Sequence, residues 1–230
     1  MRKLFLSIFA VSLLAAGCGF SSGPKTQPIT TLNPPTPTPA PELTPGTATS
    51  SAGAVLTPTS DSLPSGLSWP ISDALSRVTK KPFGLYVSPG HSPVSPEKFT
   101  GYHTGTDFET TAAEKNIDVP IFAICSGKLL LKKWASGYGG VAVESCTIDN
   151  QPVTIIYGHL RESSISPAIG QAINTGDKIA VLGTGYSQET DGERKHLHLG
   201  IHKGSAINIL GYVQNASNLS AWNDPLAVLK

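Results

Sequence analysis

The residues able to do chemistry gather in three short stretches. Lys195-His196-Leu197-His198-Leu199-Gly200-Ile201 alternates imidazole and aliphatic side chains. As a β-strand it would turn His196 and His198 to one face and Leu197 and Leu199 to the other. Tyr102-His103-Thr104-Gly105-Thr106-Asp107-Phe108 supplies a His and an Asp separated by three residues, and Ile156-Tyr157-Gly158-His159-Leu160 ends an apolar run with a His. Of the 6 His in the chain, only His91 and His202 fall outside these stretches. A catalytic zinc takes three protein ligands of His or carboxylate type and keeps one position for water. It also needs a base, not itself a ligand, to take the water's proton. The three stretches hold that inventory, and it points to a zinc hydrolase. A His pair on one strand would not do so alone, because exposed strands carry such pairs without function.

Several neighbours invite a role. Gly105 lies between the His and the Asp of its stretch, where it would let the backbone turn closely. Tyr102 and Tyr157 adjoin the motifs and are candidates for lining a groove, although a Tyr beside a His is as often packing. His202 extends the alternating face past Gly200 and reads as a strand-end His at the groove's rim. His91, in the Pro-containing stretch 88–98, reads as a solvated loop residue.

The elements that must position these groups are short strands. Val119–Cys125, Gly127–Leu131, Val141–Glu144, Val153–Tyr157 and Lys178–Leu182 are β-rich runs divided by turns, and Pro82–Val87 reads as an earlier strand. Gly (23) and Pro (19) are abundant, which disfavours a helical bundle. The expected fold is all-β, an antiparallel sheet of sandwich or barrel type with little helix, Asp73–Thr79 offering one helical turn. The turn Ala135–Tyr138 lies midway between Cys125 and Cys146, so a hairpin pivoting there would bring the two thiols opposite each other and allow a disulfide.

Composition sets the outer limits. The 230 residues are 39% hydrophobic and 14% charged, enough for one good core, and the net charge of +1 advertises neither nucleic acid nor an acidic surface as partner. Residues 1–17 have the form of a secretory signal, with Arg2 and Lys3 ahead of a short apolar run. That run ends in Leu14-Ala15-Ala16-Gly17-Cys18, which resembles a bacterial lipobox and makes Cys18 the first mature residue, carrying a lipid anchor. Ala15 stands where such a motif usually has Leu. Residues 18–62 are rich in Pro, Thr and Ser and poor in large apolar side chains, so they cannot offset their ordering entropy and read as a disordered linker. Such a tether reaches roughly 40 Å as a coil and about 130 Å if polyproline-like. The folded domain is expected over 63–230, its core over 100–230, outside the cytoplasm.

The ordered set His103-Thr-Gly-Thr-Asp107, Tyr157-Gly158-His159-Leu160 and His196-Leu197-His198 resembles the lysostaphin/LytM-type zinc endopeptidases, which cut peptide cross-links of bacterial peptidoglycan. The likeness continues through Gly137-Tyr138-Gly139-Gly140, Ile169–Ile179, Leu182-Gly183-Thr184-Gly185 and the tail Asn223-Asp224-Pro225-Leu226. It implies one zinc held by His103, Asp107 and His198, with His159 and His196 as the non-ligating catalytic pair, and peptidoglycan as substrate. The chain departs from the family where a small Gly-Pro-like pair usually precedes His-x-His; here Ser187–Lys195 is long and charged. Glu109–Asp118 is likewise extended and polar, and both loops are expected to border the groove. Two other readings stay open: a catalytically silent relative that binds peptidoglycan or regulates a cell-wall hydrolase, and a zinc peptidase acting on a protein substrate.

Overall fold

The computed structural model describes residues 63–230; the signal segment, Cys18 and the Pro-rich linker lie outside the described residues. The described chain is all-β. Its strands are β1 (Tyr86–Val87), β2 (Gly101–His103), β3 (Gly105–Glu109), β4 (Pro120–Phe122), β5 (Gly127–Ala135), β6 (Gly139–Ile148), β7 (Gln151–Leu160), β8 (Ala172–Ile173), β9 (Lys178–Val181), β10 (His196–Lys203), β11 (Tyr212–Val213) and β12 (Trp222–Asn223). Two single-turn helices, α1 (Ala74–Arg77) and α2 (Pro225–Val228), flank them. The first falls within Asp73–Thr79. The second follows from local chemistry that the strand pattern does not reveal: Asp224 caps the Leu226 N–H, and Pro225 occupies the first turn, where its missing N–H costs nothing. Pro82–Val87 is strand only at its last two residues, with Gly84 turning at φ +78°.

The main sheet runs β12-β10-β7-β6-β5-β8, and β3 pairs with His196–Gly200 of β10, along the same edge that β12 occupies at Ile201 and His202. A second sheet orders β1-β2-β11, and β4 pairs with β9. Alternation sorts the side chains of the main sheet. Phe108, Leu129, Ala142, Ile155, Tyr157, Leu197, Leu199 and Ile201 pack into the large core, together with Ile121 and Ile179 from the β4–β9 pair and with Trp69 and Ile71. The opposite face carries a smaller apolar cluster of Tyr138, Val141, Val143, Ile156 and Trp222. That second face is where His196 and His198 emerge.

Cys125 and Cys146 form a disulfide across the base of the β5–β6 hairpin, their Cα atoms 6.2 Å apart. Closing this loop contributes about 3 kcal/mol on the loop-entropy account.

Beside it lies a buried acid. Glu144 points into the large core, where Tyr157 Oη donates to its Oε2 at 2.8 Å and the other oxygen has no partner among the described residues. Burial pushes its pKa up to about 8, only partly opposed by the Tyr157 hydrogen bond. The fold therefore prefers the protonated acid. Its contribution to stability is complete below the ordinary value of 4.5 and is lost as pH rises toward 8. Glu144→Gln, which keeps shape but cannot ionise, is expected to flatten the fall in unfolding free energy from urea titrations between pH 5 and 8, a fall on the order of 1 kcal/mol per pH unit in the parent. An unchanged slope in the variant would remove Glu144 as the cause.

Candidate metal centre

Three buried side chains meet where β2, β3 and β10 adjoin. His103 comes from the second sheet, where β2 pairs with Leu85–Val87 on one side and β11 on the other. The chain then steps through Thr104 into β3, whose Asp107 lies directly across from His198 of β10. The His103-x-x-x-Asp107 spacing thus spans two sheets. His103 Nε2 lies 3.0 Å from His198 Nδ1, and Asp107 Oδ1 lies 3.2 Å from each of those nitrogens. All three residues are buried.

The chemistry of this donor set fits a small cation. His103 Nδ1 donates to the Pro82 carbonyl at 3.1 Å, which fixes its tautomer and leaves the Nε2 lone pair facing the other two groups. A nearly equilateral triangle of 3.0–3.2 Å edges matches tetrahedral ligands at about 2.0–2.1 Å from zinc, which sit roughly 3.3 Å apart. Burial opposes charge on Asp107, yet His196 and His103 around it hold its carboxyl well below the usual range. Burial, opposed in part by Asp107, draws His198 down to about 4, so its ring is neutral and able to ligate.

His159 and His196 stand beside the triangle with ring centroids 4.2 Å apart. Each donates Nδ1–H to a backbone carbonyl at 2.9 Å, His159 to Tyr138 and His196 to Arg194. His196 Nε2 lies 3.2 Å from Asp107 Oδ2. Burial, with His196 close by, holds His159 well below the ordinary imidazole value. How His159 comes to face this way is a matter of backbone. Strict alternation along β7 would send it into the core with Ile155 and Tyr157. Instead the β6–β7 register slips, Gly140 opposing Leu160 while Val141 opposes Gly158, so His159 is the extra residue of a bulge. Its φ of +59° is left-handed, a conformation uncommon for residues with a side chain, though His, like Asn and Asp, adopts it more readily than most. The bulge turns His159 to the site and returns Leu160 to the core.

A cavity of about 290 Å³ opens over these groups, with Asp107, His159, His196 and His198 at its floor. Tyr138 is a wall residue that sequence reasoning singled out only within a Gly-Tyr-Gly turn; its hydroxyl is buried without a partner among the described residues. The Gly on either side was the available signal, since Gly139 stands at φ +71°. Tyr212, also unsuspected, stacks on Phe99 at 5.1 Å and accepts from the buried Lys81, whose ammonium pairs with Glu97 at 2.6 Å.

Other expectations are corrected. Tyr157 lies on the opposite face, bonded to Glu144 and to the Ile124 N–H. Tyr102 packs edge-on against Tyr86 and is absent from the cavity lining. His202 stacks on Trp222, at the far end of β10 from the site. Gly105 is needed for close approach: it sits at no left-handed turn, but a Cβ there would lie 2.7 Å from the His198 ring. Of the two polar loops, Ser187–Lys195 brings Glu193 and Arg194 to the cavity, whereas residues 110–118 pack on Lys195 and do not line it.

Residues 101–209 match the model of Peptidase family M23. Among solved structures the chain is similar to the catalytic domain of the antimicrobial peptidase lysostaphin from Staphylococcus simulans, at 23% identity over 66% of this chain and 92% of that one, with a TM-score of 0.45. It is similar also to LytU (20% identity, 66% and 86% covered, TM-score 0.45) and to a zinc-containing peptidase from Vibrio cholerae (22%, 59% and 36%, TM-score 0.39). No curated protein matches the chain significantly.

Proposed function

We propose, from the premise that residues 101–209 belong to peptidase family M23, that the chain is a zinc-dependent endopeptidase cutting peptide bonds in peptidoglycan cross-links. The observation that carries this reading is the buried triangle of His103 Nε2, Asp107 Oδ1 and His198 Nδ1 with two further imidazoles beside it. His103, Asp107 and His198 would hold the ion. Zinc bound there would polarise a scissile carbonyl and acidify a water.

The protein's own groups supply the proton traffic. His159 and His196 are fixed by Nδ1–H donation to backbone carbonyls; each Nε2 is directed away from the backbone toward the site, that of His196 lying 3.2 Å from Asp107 Oδ2, where it can pass a proton. One of the pair takes a proton as the attacking water adds, and one returns a proton to the leaving amine. The unpartnered hydroxyl of Tyr138 is a donor for charge developing on the carbonyl oxygen. Its pKa is raised by burial and by Asp107, so it stays protonated through neutral pH. Tyr138 and Tyr212 supply aromatic walls to the cavity.

The domain is taken as 63–230, carried on the 18–62 linker and exported by the 1–17 signal, with Cys18 as a lipid anchor; these assignments rest on sequence. The experiment is digestion of cross-linked peptidoglycan by the purified, zinc-loaded protein, with chromatography of the fragments. New peptide termini that vanish in a folded, zinc-retaining His196→Ala variant are the expected result. Release of termini only from a protein substrate would move the assignment to a different peptidase, and no release from either would favour a silent, wall-binding role.

A further inference from the structure

Asp107 uses only one of its oxygens in the ligand triangle. The other, Oδ2, accepts from Arg194 Nη2 at 2.7 Å and lies 3.2 Å from His196 Nε2. That guanidinium is itself gripped by Glu109: Arg194 Nε donates to both carboxylate oxygens at 3.0 Å, and Nη2 donates to Oε1 at 2.6 Å. The three side chains are nearly sealed from solvent, Arg194 at 10%, Asp107 at 2% and Glu109 at 11% exposure. Lys80 lies 3.3 Å from Glu109 Oε2.

Strand register builds this arrangement. His198 opposes Asp107 and His196 opposes Glu109, so both acids share the site face of β3. Arg194, two residues before His196, continues the His face beyond the start of β10. A carboxylate free to rotate can bind a cation through one oxygen or both. One whose Oδ2 accepts from a planar guanidinium, itself clamped on a second carboxylate, is held with Oδ1 turned toward the cation.

We propose that Arg194, held by Glu109, is a positioning residue that fixes Asp107 as a one-oxygen ligand and thereby sets the affinity and coordination number of the site. The proposal rests on the reading that His103, Asp107 and His198 hold zinc. A lysine in place of Arg194 keeps the charge but not the fork, so it separates orientation from electrostatics.

The test uses the full chain: parent, Arg194→Lys, Arg194→Gln, Glu109→Gln, and His103→Ala as the ligand control. Zinc affinity is measured by chelator competition, Co(II) substitution reports coordination number by visible absorption, and metal-free unfolding midpoints are recorded alongside. Affinity is expected to fall roughly 10–100-fold in both Arg194 variants and less in Glu109→Gln. The Co(II) band is expected to weaken as Asp107 swings to two-oxygen binding, including in variants whose metal-free midpoint matches the parent. Unchanged zinc affinity and Co(II) spectrum in folded Arg194→Lys and Arg194→Gln would overturn the proposal. Should neither fold, an unchanged affinity and spectrum in Glu109→Gln would do so. A parent that binds no more zinc than His103→Ala defeats the metal reading itself, a distinct result that removes this proposal with it.

Discussion

Substituting His198 by Ala is expected to abolish stoichiometric zinc binding and, with it, all peptide hydrolysis. Its Nδ1 forms one corner of the triangle, 3.0 Å from His103 Nε2 and 3.2 Å from Asp107 Oδ1. Loss of a direct ligand should weaken zinc by more than the roughly 10–100-fold typical of groups that only orient ligands. The informative control is His196→Ala, on the same face of the same strand and equally buried. It is expected to keep zinc at parent stoichiometry while losing turnover. Equilibrium dialysis against a competing chelator, followed by metal analysis, reads both variants. Zinc retained by a folded His198→Ala and lost from His196→Ala would exchange their assigned roles.

Gly105→Ala is expected to cost both stability and metal, although it alters no functional group. β3 and β10 approach each other at Gly105 opposite Gly200. An added methyl would sit 2.7 Å from the His198 ring, with the Leu199 carbonyl closer still. Either the strands part or the imidazole tilts away from Asp107. Overpacking of this kind costs typically 1–3 kcal/mol, and an imidazole pushed off the triangle loses zinc affinity besides. A lowered urea midpoint in the metal-free protein, together with weaker zinc binding than the lost stability alone produces, is the expected pair of results. A methyl accommodated with neither change would show that the close approach has no role in holding His198.

The two results bear on different layers of the molecule. His198 tests the donor set, which is chemistry written into side-chain types. Gly105 tests the spacing between two strands, which is a property of backbone packing. The Arg194–Glu109 pair joins the two layers, since strand register brings Glu109 beside Asp107 on one face, where it holds the arginine that bonds the second oxygen of Asp107.

Local pattern was enough for much of this. The alternation in His196–Ile201 already determined that His196 and His198 share a face while Leu197, Leu199 and Ile201 enter the core, because a pleated strand admits no other arrangement. The central turn between Cys125 and Cys146 likewise foretold their pairing. The same rule of two, extended one element across, was a legible signal for Arg194 and Glu109: an Asp-x-Glu strand beside an Arg-x-His-x-His strand. What alternation could not supply was the position of His159. By period alone it belongs in the apolar core with Tyr157, and Leu160 belongs at the site. Only the slip of register between β6 and β7, which leaves His159 at φ +59°, reverses that order. Nor could spacing show that His103 arrives from a separate sheet, or that Tyr138, Tyr212 and Lys81 close the walls of the cavity. Side-chain type and strand periodicity are local properties, carried by each segment wherever it lies. Register, bulges and the docking of one sheet against another depend on which segments become neighbours, and that was decided by the tertiary packing.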